Sequence, residues 1–82
     1  MPITVFDIRD IPPMARERIQ AAVETGGKHV RGSHEAWIAA DSSGREVRVL
    51  ITGPYGLERK VSFVMDEQPE EITRRVRQTL DE

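Results

Sequence analysis

The sequence predicts an α+β fold: a two-layer sandwich in the order β-α-β-β-β-α, an antiparallel meander with two helices on one face and the other face open. Two stretches of helical period, at about residues 13–24 and from Pro69 to Leu80, bracket the middle of the chain. Between them lie three stretches of period 2, at about 34–41, 45–52 and 59–65. Breaks rich in glycine, proline and serine separate the stretches. A helix with one apolar stripe must bury it against something, and a three-strand meander is the economical partner for two such helices.

Ile3-Thr4-Val5-Phe6-Asp7-Ile8 is β-branched and aromatic, and its shortness suits an edge strand. Asp10-Ile11-Pro12-Pro13 breaks it, and proline fits the first helical turn, where its missing N–H has no intrahelical partner to lose. Met14, Ala15, Ile19, Ala22 and Val23 form the apolar stripe of the first helix, and Gly26 is suited to the left-handed position that ends one. In the last helix, Asp66-Glu67-Gln68 offers a cap and Glu70 and Glu71 suit the positive end of the helix dipole. Ile72, Val76 and Leu80 recur there every four residues.

Register follows from parity. Val47, Val49 and Ile51 alternate with Glu46, Arg48, Leu50 and Thr52, and Val61, Phe63 and Met65 with Lys60, Ser62 and Val64, so both strands bury their odd side. The loop Gly53-Pro54-Tyr55-Gly56-Leu57 then sets Val49 opposite Val61 and Val47 opposite Phe63; a slip of one would put Lys60 in the core. The preceding hairpin admits two readings. A three-residue loop, Ser42-Ser43-Gly44, pairs Trp37 with Val49 and turns Trp37 inward, whereas a four-residue loop buries Ile38. The larger apolar area of tryptophan favours the first, which places His34 on the open face beside Arg48 and Lys60.

Eighty-two residues with 38% hydrophobic and 32% charged content describe one small globular domain, residues 1–82. No apolar run approaches the roughly 18 residues a membrane span needs, and the N-terminal residues lack the features of a secretory signal. The absence of cysteine excludes disulfides and thiolate metal sites and favours a cytoplasmic protein. A net charge of −2 argues against a dedicated nucleic-acid binder, although residues 28–60 carry six basic and four acidic groups against an acidic tail.

The chemical candidates are few. His34, on an open face near cations, has the residue type for a general acid or base or a phosphate ligand; the plain alternative is a solvated histidine at a strand start. His29, His34 and Glu35 do not make a metal site, because three or four convergent ligands are needed and the histidines sit five apart along an extended segment; no metal or other cofactor is expected. Arg74, Arg75 and Arg77 suggest an anion ridge, yet Glu70–Arg74 and Glu71–Arg75 stand at i, i+4 and neutralise two of them. Tyr55 at a turn tip offers one aromatic for stacking or for anchoring a partner.

The α-β-β-β-α portion resembles the double-stranded-RNA-binding-domain type of sandwich. Within it, Gly32-Ser33-His34, preceded by a helix ending in glycine and followed by Gly44-Arg45-Glu46-Val47-Arg48-Val49, resembles the HicA-type toxins over about residues 13–50. The resemblance implies RNA as partner and His34 as the residue of mRNA cleavage.

Two functions follow as expectations. One is a non-enzymatic interaction module that binds a protein partner or forms a homodimer through Ile38, Leu50 and Val64 on the open face, with Tyr55 nearby, since an uncovered apolar patch usually meets a partner. The alternative is RNA binding or cleavage through His34, with Arg31, Arg48 and Lys60 on the phosphates.

Overall fold

The computed structural model describes residues 3–81. Its elements are β1 (Ile3–Arg9), α1 (Pro13–Gly26), β2 (His34–Ala40), β3 (Glu46–Thr52), a single 3-10 turn (Pro54–Gly56), β4 (Glu58–Val64) and α2 (Pro69–Leu80). The order β-α-β-β-β-α is the one the sequence predicts. The sheet is four-stranded in the order β1-β2-β3-β4, with β1 at an edge. It is mixed: β2, β3 and β4 form the antiparallel meander, and β1 pairs parallel to β2 because α1 carries the chain back across one face.

The core lies between that face and the helices. Ile19, Ala22 and Val23 of α1 and Ile72 and Val76 of α2 meet Ile38, Val47, Val49, Ile51 and Phe63. The β3–β4 register matches parity: Val49 pairs with Val61 and Val47 with Phe63. The two helices touch closely where α1 ends. Gly26 is the last residue of α1, so it does not serve as the expected left-handed cap; a Cβ there would lie 2.7 Å from Val76 Cβ and 2.8 Å from the Thr73 carbonyl. A Cβ on Gly27 would overlap the Ile3 side chain. The glycine pair therefore lets α1 seat against α2 and β1 at once. The Thr73 hydroxyl donates to the Ala22 carbonyl at 3.2 Å, and His29 meets Asp81 at 2.8 Å, tying the same end of the molecule.

Met14 leaves the expected stripe of α1 and is exposed, because it sits on the first turn beyond the reach of the sheet. On α2, Gln68 occupies the cap position without a side-chain hydrogen bond. Arg74 pairs with Glu71 at 2.5 Å rather than with the expected Glu70, and Arg75 pairs with Glu71 at 2.9 Å. The two guanidiniums, Arg74 first, hold the Glu71 carboxyl down at about 2.

The β2–β3 hairpin takes the four-residue reading. Ile38 pairs with Val49, Ala36 with Ile51 and Ala40 with Val47, so Ile38 is 1% exposed and Trp37 faces outward. The turn decides this. Asp41 carboxylate accepts from the Ser43 hydroxyl at 2.7 Å and from the Glu46 amide at 3.4 Å, and the Asp41 amide donates to the Glu46 carbonyl at 2.8 Å. These bonds, led by Ser43, hold the Asp41 carboxyl below its ordinary range and close the hairpin one residue later than a Ser42–Gly44 loop would. The inward set then becomes His34, Ala36, Ile38 and Ala40, whose two alanines leave room for the helices above.

Candidate interaction face

The face that no helix covers is built from outward residues in cross-strand rows. Thr4, Glu35, Thr52 and Glu58 form one row; Asp7, Trp37, Leu50 and Lys60 the next; Arg9, Ala39, Arg48 and Ser62 a third; Glu46 and Val64 a short fourth. An acidic row and a row carrying two arginines thus flank a central row with Trp37 and Leu50 in its middle and a charge, Asp7 or Lys60, at each end. A shallow groove of about 810 Å³ runs over the second and third rows.

β1 adds a second aromatic ring to this face through a bulge. The parallel register skips a residue between Val5 and Asp7, so Phe6 and Asp7 together stand against Trp37. Phe6 stacks on Trp37 with ring centroids 5.8 Å apart and planes 19° from parallel, yet the rings remain 59% and 36% exposed. Such a pair contributes about 0.5–1.5 kcal/mol beyond its buried area and still presents apolar surface to solvent.

The charges on the face are only partly compensated. Arg9 lies 2.5 Å from Asp7, and Arg48 lies 3.1 Å from Glu46, each pair within one strand. Among the described residues, Glu35, Glu58 and Lys60 form no ion pair.

The residues singled out from sequence divide. Leu50, half-buried, and Val64, exposed, do lie on this face, and so do Arg48 and Lys60. Ile38 does not: its side chain is in the core, because the hairpin closes one residue later than expected. His34 is corrected for the same reason. It shares the inward parity of Ile38, is 6% exposed, and packs its ring on Gly53, where a Cβ would come within 2.7 Å of Cδ2 and Nε2. Nδ1 lies 3.2 Å from the Gly32 carbonyl. His34 therefore sits on the opposite side of the sheet from Arg48 and Lys60 and converges with neither. Arg31 is exposed in the α1–β2 connection, outside the groove. Tyr55 is fully exposed at the β3–β4 turn in a left-handed conformation (φ 60°), also outside the groove.

Phe6, Asp7, Arg9 and Trp37 are the members that parity reasoning missed. Trp37 was legible as the other branch of the β2–β3 ambiguity. No local signal in Val5-Phe6-Asp7 marks a bulge.

Among the described residues there is no grouping of three histidine, aspartate or glutamate side chains fit to hold a metal ion, and no helix is long and apolar enough to cross a membrane. No family model and no curated protein matches the chain. Among solved structures, the N-terminal domain of Protein Y from Thermus thermophilus is similar in fold, with a TM-score of 0.60 and 17% identity over 95% of this chain and 90% of that one.

Proposed function

We propose that this protein is a non-enzymatic interaction module that binds a protein surface through the open face of its sheet. The observation that carries the reading is the Phe6–Trp37 stack, left exposed beside Leu50 on a face that no helix covers. Bulges recur where a strand re-aims a side chain for use, and this one places two residues of β1 against a single tryptophan. Large aromatic rings within a polar rim are the composition of a binding hot spot. The near balance of acid and base on the face favours a protein over a polyanion.

A photo-crosslinking side chain at Leu50 is expected to give a protein adduct in cells, lost on adding Trp37→Ala, whereas the same group at Met14 gives none. Equal yields from the two positions, or no adduct at Leu50, would overturn the reading.

Single-stranded RNA is the competing ligand, and the observation in its favour is that Arg9, Arg48 and Lys60 share the face with the aromatic pair. It requires an oligouridylate affinity that falls steeply with salt, since each neutralised phosphate releases counterions. Cleavage through His34 has no support in the geometry, because the ring is buried on the other side of the sheet.

A further inference from the structure

We infer that the occupant of the open face is a second copy of this chain, stacked sheet on sheet with each strand crossing its own counterpart in the antiparallel sense. The inference rests on the interaction reading above and deepens it. The charge pattern of the face selects this occupant and this orientation.

A two-fold axis lying between the sheets, along the Asp7-Trp37-Leu50-Lys60 row, superposes that row on itself and exchanges the rows either side. The acidic row of one copy then covers the arginine row of the other. In the two flanking rows large side chains meet small ones. Glu35 lies over Ala39 of the second copy, between Arg9 and Arg48 of that copy. Glu58 lies over Ser62 beside the same Arg48, and the two arginines lie over Thr4 and Thr52. Glu35 and Glu58, which have no ion-pair partner among the described residues, thereby gain one. The central row brings Trp37 onto Trp37 and Leu50 onto Leu50 of the second copy, and Asp7 and Lys60, each meeting its own copy, fall at the rim, where water screens like charges. The other two-fold axis, along the strands, sets Trp37 over Leu50 and Asp7 over Lys60, but it lays the acidic row on the acidic row and the arginine row on the arginine row. Glu35 then stands beside Glu35 and Glu58 of the second copy and Arg9 beside its Arg48; like charges so juxtaposed oppose that orientation. Aligned sheets pack about 30° from parallel, within reach of these pairings for long side chains.

Both sheet edges are blunted against strand-to-strand pairing with a second copy. The Met65 amide bonds the Arg45 carbonyl, so odd residues of β4 face β3 and even ones face outward. Of the outward carbonyls, Glu58 accepts from Arg59, Ser62 from Arg75 and Val64 from the Glu67 amide. The bulge disrupts β1 at the opposite edge.

Four strands of seven residues present a face of roughly 15 by 23 Å. That places the interface at the small end of specific contacts, below about 1,200 Å² in total, and the dimer in the micromolar range or weaker.

Two charge-reversed proteins test this. Glu35→Arg with Glu58→Arg makes both flanking rows basic, and Arg9→Glu with Arg48→Glu makes both acidic. Sedimentation equilibrium should find the unmodified protein dimeric at high concentration. Each variant, its fold verified by circular dichroism, should dimerise at least about 100-fold more weakly, since like charges are forced together. An equimolar mixture of the two should form a 1:1 heterodimer. An unmodified protein that stays monomeric at millimolar concentration, or a mixture that fails to associate, overturns self-docking. If the Leu50 crosslinker then captures a different protein through Trp37, self-docking fails while the interaction reading stands. If it captures none and the face binds oligouridylate, both fail.

Discussion

The two sides of this sheet are made from the same four strands, yet they are built to different standards. The covered side is aliphatic and closed: Ile38, Val47, Val49 and Ile51 are essentially inaccessible, and even a glycine is needed where α1 meets α2. The open side carries side chains of every chemical kind, with stacked rings left wet and charges only partly paired, Arg9 with Asp7 and Arg48 with Glu46. A side packed to the last methylene tolerates little, because the cavity or the clash is felt in full. A side in contact with water tolerates much. On the proposed reading the difference separates stability from recognition, and substitutions should separate them too.

The sharpest break is expected at the covered side. Ile51→Ala should lower unfolding free energy by about 2–5 kcal/mol in urea denaturation, the range for deleting a buried branched side chain. A cost below about 1 kcal/mol would mean that the two sides are not as unlike as described. Gly26→Ala comes next at about 1–3 kcal/mol, because its methyl must push back Val76 or the Thr73 carbonyl.

Trp37→Ala should cost about 1–2 kcal/mol, from the lost stack and partial burial. It should abolish crosslinking at Leu50 while leaving the circular dichroism spectrum intact. Unfolding at 25 °C in this variant would show that the open side carries the fold as well.

The smallest effect lies on the back of α2. Glu71 is held below its unfolded value by Arg74 and then Arg75, so its contribution is fully present above the ordinary carboxylate range and is lost as pH falls through about 2. Its carboxyl resonance should titrate near 2 by NMR, and in Arg74→Ala, with Arg75→Ala added, near the ordinary glutamate value of about 4.3. An unshifted midpoint in the unmodified protein would remove the ion-pair account of that helix face.

How much of this was legible depends on how cleanly each strand alternates. β3 and β4 carry their apolar residues at odd positions with one exception each, Leu50 and Val64, and the five-residue loop between them admits one register, so that hairpin was readable in full. β2 sets Trp37 and Ile38 side by side, and apolar area alone chose the wrong one. The deciding group was the Asp41 carboxylate, which binds the Ser43 hydroxyl and Glu46 amide and fixes a longer turn. One slip moved His34 into the core and Trp37 out of it, so the candidate site changed while the element order did not. The bulge at Phe6 depends on a parallel neighbour far along the chain, and nothing local announces it.

That parallel pairing also has a consequence in time. β3 and β4 join through a short turn, whereas β1 reaches β2 only after the whole of α1 has been laid down. Closing the longer loop costs more chain entropy before any contact rewards it, so the meander is expected to assemble first and β1 to dock last. The same order run backwards predicts that β1 is the first strand to detach, and its amides should be the earliest of the sheet to exchange with deuterium. Because Phe6 rides on β1, the aromatic pair exists only while that last strand is seated.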